Sequence, residues 1–107
     1  MSVRKEKFEQ YRSKKEELGE LEYKIINSDN CESMMRNYEQ LKRECDETEK
    51  FIEFISDSQL RRIFRMRYID GKSLFVIGNK VHLDKSNVSR KINLFFEVAT
   101  HTTNATL

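Results

Sequence analysis

Ser73-Leu74-Phe75-Val76-Ile77-Gly78-Asn79-Lys80-Val81-His82-Leu83-Asp84-Lys85-Ser86-Asn87-Val88-Ser89-Arg90-Lys91-Ile92-Asn93 is the stretch on which the reading of this chain turns. Ile77, Val81, Leu83, Val88 and Ile92 are apolar and Gly78 is small. Two helices that cross closely need this set: a small residue at the crossing and apolar residues filling the wedge. Ser73 and Asp84 are capping types, so helices are predicted over 74–81 and from 85 to about 98, joined by a tight His82-Leu83 connection. The pattern is that of a helix-turn-helix. Its second helix offers Lys85, Ser86, Ser89, Arg90 and Asn93, side chains suited to base edges in a major groove. Lys72, Ser73, Lys80, His82 and Lys91 are the expected phosphate contacts.

Just upstream, Ser56-Asp57-Ser58-Gln59 has the form of a capping box, with Ser56 at the N-cap and Gln59 three residues later. Leu60, Ile63, Phe64 and Arg67 then repeat at helical spacing to about Ile69, and Gly71 suits the end of that helix. Arginines on its outer face, among Arg61, Arg62 and Arg65, are expected to meet phosphate or solvent.

The first half reads differently. Tyr11, Leu18 and Ile25 recur every seven residues with Leu21 between them, and Phe8 precedes Tyr11 by three. Further on, Tyr38, Cys45 and Ile52 hold one seam position, while Met34, Leu41, Thr48 and Ile55 hold its partner. Alternating steps of three and four bury one stripe of a helix against another. Asn27-Ser28-Asp29-Asn30 interrupts the pattern with turn and capping residues. An antiparallel helical hairpin, or a bundle between chains, is predicted. Lys14 on the seam and Gly19 nearby weaken the first helix, and so few heptads are marginal alone. Tyr11, Leu18, Leu21, Ile25, Met34, Tyr38, Leu41, Cys45, Ile52 and Ile55 are therefore the expected oligomerisation seam of a homodimer. Glu20–Lys24, Glu39–Arg43 and Asp46–Lys50 have the favourable i,i+4 order for exposed pairs. Glu44, Asp46, Glu47 and Glu49 read as a solvated face rather than a metal site.

Composition supports an all-α chain: 107 residues with no proline, no tryptophan and three glycines leave few turn residues for a β-sandwich or barrel. The formal charge of +2 conceals an asymmetry. Residues 1–58 carry −4, residues 59–93 carry +7 and the remainder carries −1. A basic module joined to an acidic helical half implies a polyanionic partner for the former. The longest apolar run, Leu74 to Ile77, is too short for a membrane span, and no secretory signal is apparent. Cys31 and Cys45 lie outside any CxxC, and only His82 and His101 accompany them, so neither a zinc site nor an enzyme is expected. No cofactor is expected. The organisation predicted is an assembly region over 1–56, a DNA-binding module over 57–98 and a frayed polar tail over 99–107.

Arg67-Tyr68-Ile69-Asp70-Gly71-Lys72-Ser73-Leu74, then Ile77-Gly78, then Val88-Ser89-Arg90-Lys91-Ile92 resembles region four of bacterial sigma factors, across residues 57–96. The resemblance implies a helix-turn-helix that reads promoter DNA and a site of action in the bacterial cytoplasm. A short coiled-coil-like half before such a module is similar to small sigma-like regulators of phages of Gram-positive bacteria, several of which activate late genes. The acidic first half lacks the basic and aromatic cluster with which a complete sigma factor melts a promoter. An accessory regulator is the reading that follows.

Phe75 and Val76 depart from the sigma pattern, which carries acidic, exposed residues there. Packing on the first half or on a second chain is the expected fate of this apolar pair, ahead of contact with RNA polymerase. His82 stands where repressor-type motifs carry glycine. Two alternatives accompany the DNA-binding reading: a protein-interaction module that docks on host RNA polymerase or another regulator without reading DNA, and a small terminase-type packaging adaptor.

Overall fold

The computed structural model describes residues 4–105 of the chain, with side chains through Ala99. All regular structure among the described residues is helical: α1 (Lys5–Glu9), α2 (Tyr11–Ile26), α3 (Glu32–Glu53), α4 (Ser58–Phe64), a π turn (Arg65–Ile69), α5 (Leu74–Val81) and α6 (Lys85–Ala105).

α2 and α3 lie against each other with their residue numbers running in opposite senses. Lys14 pairs with Glu44 at 2.7 Å, and Lys15 with Glu49 at 3.4 Å. The chain reverses at the Asn-rich break: the Asn27 side-chain amide donates to the Tyr23 carbonyl at 2.8 Å, closing the end of α2. Seam residues Tyr11, Leu18 and Cys45 are buried, whereas Leu21, Ile25, Met34, Tyr38 and Leu41 are half-buried. Much of the expected intermolecular seam thus closes within one chain. Burial pushes the Cys45 thiol up from its ordinary pKa. Glu44 and Glu49, expected on a solvated face, instead meet Lys14 and Lys15 across the helix pair. Asp46 meets Lys42, one turn before it, rather than Lys50.

Ile52 and Ile55, at the end of the seam, enter a different environment. They join Phe8, Ile63, Phe64, Met66, Tyr68, Ile77, Val81, Val88, Ile92 and Phe96 in one buried cluster. Residues on both sides of position 56 therefore share a core. Phe8 sits at its aromatic centre, with ring centroids 5.4 Å from Phe51, 5.8 Å from Phe64, 5.4 Å from Tyr68 and 5.1 Å from Phe96. These separations and the largely edge-on angles suit the aromatic quadrupole. Phe8 thus belongs to this core rather than to a continuation of the seam.

Three boundaries differ from the sequence reading. The N-cap of α4 is Asp57, whose carboxylate accepts from the Leu60 N–H at 2.9 Å, so Ser56 and Gln59 do not form the expected box. A carboxylate one residue along simply supplies the better acceptor for the helix N-terminus. The helix expected to run to Ile69 widens after Phe64: the Asp70 N–H reaches back to the Arg65 carbonyl, five residues away, at 3.0 Å. That widened turn lets both Met66 and Tyr68 face the core. Finally, α6 does not stop near Val98 but continues through Ala105.

Candidate nucleic-acid interface

α5 is capped as expected, with the Ser73 hydroxyl accepting from the Val76 N–H at 3.2 Å. It ends at His82, which adopts left-handed geometry with φ 62°. The Leu83 N–H then donates to the Gly78 carbonyl at 2.9 Å, a bond that folds the turn back on the helix. Gly78 is buried, and a methyl group on it would collide with the Leu83 carbonyl oxygen. The Asp84 carbonyl accepts from the Asn87 and Val88 N–H groups, both at 3.0 Å, and α6 departs from there. Ile77, Val81, Val88 and Ile92 are buried and Leu83 is half-buried in the resulting wedge. His82 thus takes, without glycine, the conformation for which repressor-type turns use glycine.

Burial of Val88, Ile92 and Phe96 fixes which side of α6 points inward. By helical periodicity Ser86, Arg90 and Asn93 share one outer flank, with Ser89 at its half-buried edge; Lys85 is exposed on the first turn. Lys91 lies round the other side with Leu94 and Val98, both exposed apolar residues. Of the expected phosphate contacts, Lys72 is half-buried, whereas Ser73, Lys80, His82 and Lys91 are exposed.

The upstream arginines have structural duties. Arg61 donates to the Ile55 carbonyl at 2.8 Å, Arg67 donates to the Lys72 carbonyl at 3.2 Å, and Arg65 approaches Glu53 at 3.9 Å. Arg62 is exposed on the outside of α4. Arg62 and Arg65 remain exposed upstream, and Lys80, Lys85, Arg90 and Lys91 add exposed charge from α5 and α6.

One contributor lies outside the expected module. Lys5 on α1 donates from Nζ to the Asn93 Oδ1 at 2.8 Å, across 88 positions of sequence. Lys5, Glu9, Arg67, Leu74, Ser89 and Asn93 line a small cleft of about 110 Å³ beside α6. The sequence signal for this contact was the basic run Arg4-Lys5-Glu6-Lys7 placed just before Phe8, a cluster out of character with the acidic half.

Phe75 is 65% exposed and Val76 is exposed too, so neither is covered by the first half of the chain. Among the described residues no three His, Cys, Asp or Glu side chains gather as a metal site, and no helix is long and apolar enough to cross a membrane. Compared with protein-family models, curated proteins and solved structures, the chain matches none.

Proposed function

We propose that this chain is a sequence-specific DNA-binding transcriptional regulator, a sigma-region-four-like helix-turn-helix carried on a helical hairpin. The observation that carries the reading is the crossing at Gly78: it closes α5 on α6 through the His82 turn and leaves Ser86, Arg90 and Asn93 on one outer flank. A helix held in this way by its neighbour enters a major groove with its first turns against base edges. Lys72, Ser73, Lys80, His82 and Lys91 then serve the phosphates. The charge of +7 over residues 59–93 supplies the attraction for a polyanion. By its resemblance the regulator acts on phage genes, late genes foremost, in the cytoplasm of a bacterial host. The reading assigns it no catalytic step, cofactor or metal.

The test is selection of bound duplexes from random and genomic pools by the purified protein, with its mass in solution measured alongside. Affinity for the selected site is expected to fall with salt, with a log–log slope of about −0.9 per neutralised phosphate. Arg90→Ala is expected to relax specificity at one position, and Lys72→Ala to weaken binding across all sequences. A protein with no salt-sensitive duplex affinity overturns the reading.

The exposed Phe75–Val76 pair favours a second reading, docking on RNA polymerase or another regulator without base readout. Retention of polymerase in a pull-down when Lys85 and Arg90 are both alanine, and its loss with Phe75→Ser, distinguishes it.

A further inference from the structure

Lys5 reaches the recognition flank because Phe8 anchors α1 in the aromatic core. Phe8 is 4% exposed and touches aromatic rings from α3, α4, the π turn and α6, so α1 has little freedom to move. One turn earlier, half-buried Lys5 is held at the edge of the 110 Å³ cleft, its ammonium 2.8 Å from the Asn93 Oδ1.

That bond changes what Asn93 offers. An asparagine in a major groove reads adenine with both ends of its amide: Nδ2 donates to N7 while Oδ1 accepts from the N6 amino group. Here Oδ1 already accepts from a cation. One of the two lone pairs of Oδ1 is taken, and an adenine amino group brought to the other would lie beside the Lys5 ammonium, whose positive charge disfavours a second donor there and favours an acceptor. What the Lys5–Asn93 pair itself turns outward is mainly donors, the two Nδ2 hydrogens and the remaining ammonium hydrogens, with Glu9 and Ser89 beside it in the cleft. Its complement is an edge with acceptors alone, and among the bases guanine presents two of them, N7 and O6, in the major groove.

We propose that Lys5 of α1 sets the specificity of Asn93, so that the pair reads guanine where asparagine alone reads adenine. This inference rests on the DNA-binding reading above and adds to it a specificity-determining residue from the opposite end of the chain. Lys5 acts through Asn93 as a positioning group and supplies a donor of its own.

Two measurements test it. In the free protein, the Asn93 side-chain amide resonances are expected to shift in Lys5→Met and to hold their place in Lys5→Arg, which keeps a donor. On DNA, the position whose preference is lost in Asn93→Ala is expected to be guanine in the wild type. Its preference over adenine there is expected to be about tenfold or more. Lys5→Met is expected to move that one position towards adenine, leaving the rest of the site unchanged, and Lys5→Arg to restore guanine. A uniform loss of affinity with a salt slope reduced by about one would make Lys5 a phosphate contact and overturn the proposal. An unaltered site in Lys5→Met overturns it as well. A wild-type protein that selects no site removes the DNA-binding reading itself, whatever the amide resonances show of the Lys5–Asn93 contact.

Discussion

The guanidinium of Arg12, on the long helix α2, lies where a side chain on Gly71 would have to go, just beyond the π turn. Gly71 is required for its backbone: its φ of +72° is left-handed. Gly71→Ala is expected to cost ~1–2 kcal/mol from that conformation. The Arg12 guanidinium is the end of a flexible, exposed side chain and can swing aside cheaply. The cost should therefore be nearly the same in an Arg12→Ala background, with a coupling below ~0.5 kcal/mol in a double-mutant cycle by urea unfolding. A larger coupling would show that Arg12 is held firmly against the start of the basic module.

The connection between α5 and α6 makes two opposite predictions from positions four residues apart. Gly78→Ala places a methyl group against the Leu83 carbonyl, where backbone rather than a flexible side chain must yield, and is expected to lower stability by ~1–3 kcal/mol. His82→Gly removes left-handed strain at the cost of some unfolded-state entropy, for a net gain of ~0.5–1 kcal/mol. His82→Val is expected to lower stability instead. Thermal unfolding of the three variants checks both signs, and a stabilising Gly78→Ala would refute the close crossing.

The all-helical class was legible because helical spacing, caps and the scarcity of turn residues agree with one another. The α5–α6 wedge was legible for the same reason: its spacing of small and apolar residues is local. What escaped was non-local or depended on fine competition. Heptad spacing assigned Phe8 to the seam because it sits three before Tyr11; its real partners, such as Phe64 and Phe96, are distant in sequence and no periodicity links them. The π turn escaped because Arg65–Ile69 has no composition that marks a widened helix, only a need to bury Met66 and Tyr68 together. Arg61 and Arg67 looked available to a polyanion, yet their donors serve backbone carbonyls left open by the turns around them. Lys5 escaped with Phe8, since the ring that fixes α1 also fixes the ammonium.

Phe8 carries the largest single stability prediction. Removing its ring leaves a void at the junction of four aromatic neighbours. Phe8→Ala is expected to cost ~3–5 kcal/mol, a large share of the ~5–15 kcal/mol that holds an ordinary domain together. Phe54→Ala, three residues beyond Phe51 but 84% exposed, is expected to stay within about ±0.5 kcal/mol. Denaturation midpoints followed by helical signal separate the two. Comparable losses would show that Phe8 is not the centre of the core.

Lys14 makes the last prediction, because a charge expected to weaken the seam has found a partner there. Its ammonium is 2.7 Å from the Glu44 carboxylate, which also accepts from the Gln40 amide at 2.9 Å. The Lys14 bond first, and the Gln40 bond second, hold the Glu44 carboxyl below its ordinary 4.5. A carboxyl with a lowered folded-state pKa stabilises the fold above its ordinary value, and that contribution disappears as pH falls through the lowered one. Both side chains keep some contact with solvent, so the pair is expected to contribute below ~1 kcal/mol. Glu44→Gln should therefore be less stable than the wild type at neutral pH, and the gap should close in acid. Lys14→Met should behave in the same way, since it removes the larger cause of the shift. The measurement is the unfolding free energy of the three proteins across the carboxylate range at constant ionic strength. A gap that stays constant from neutral to strongly acid conditions would mean that the Lys14–Glu44 bond contributes nothing to the pairing of α2 with α3.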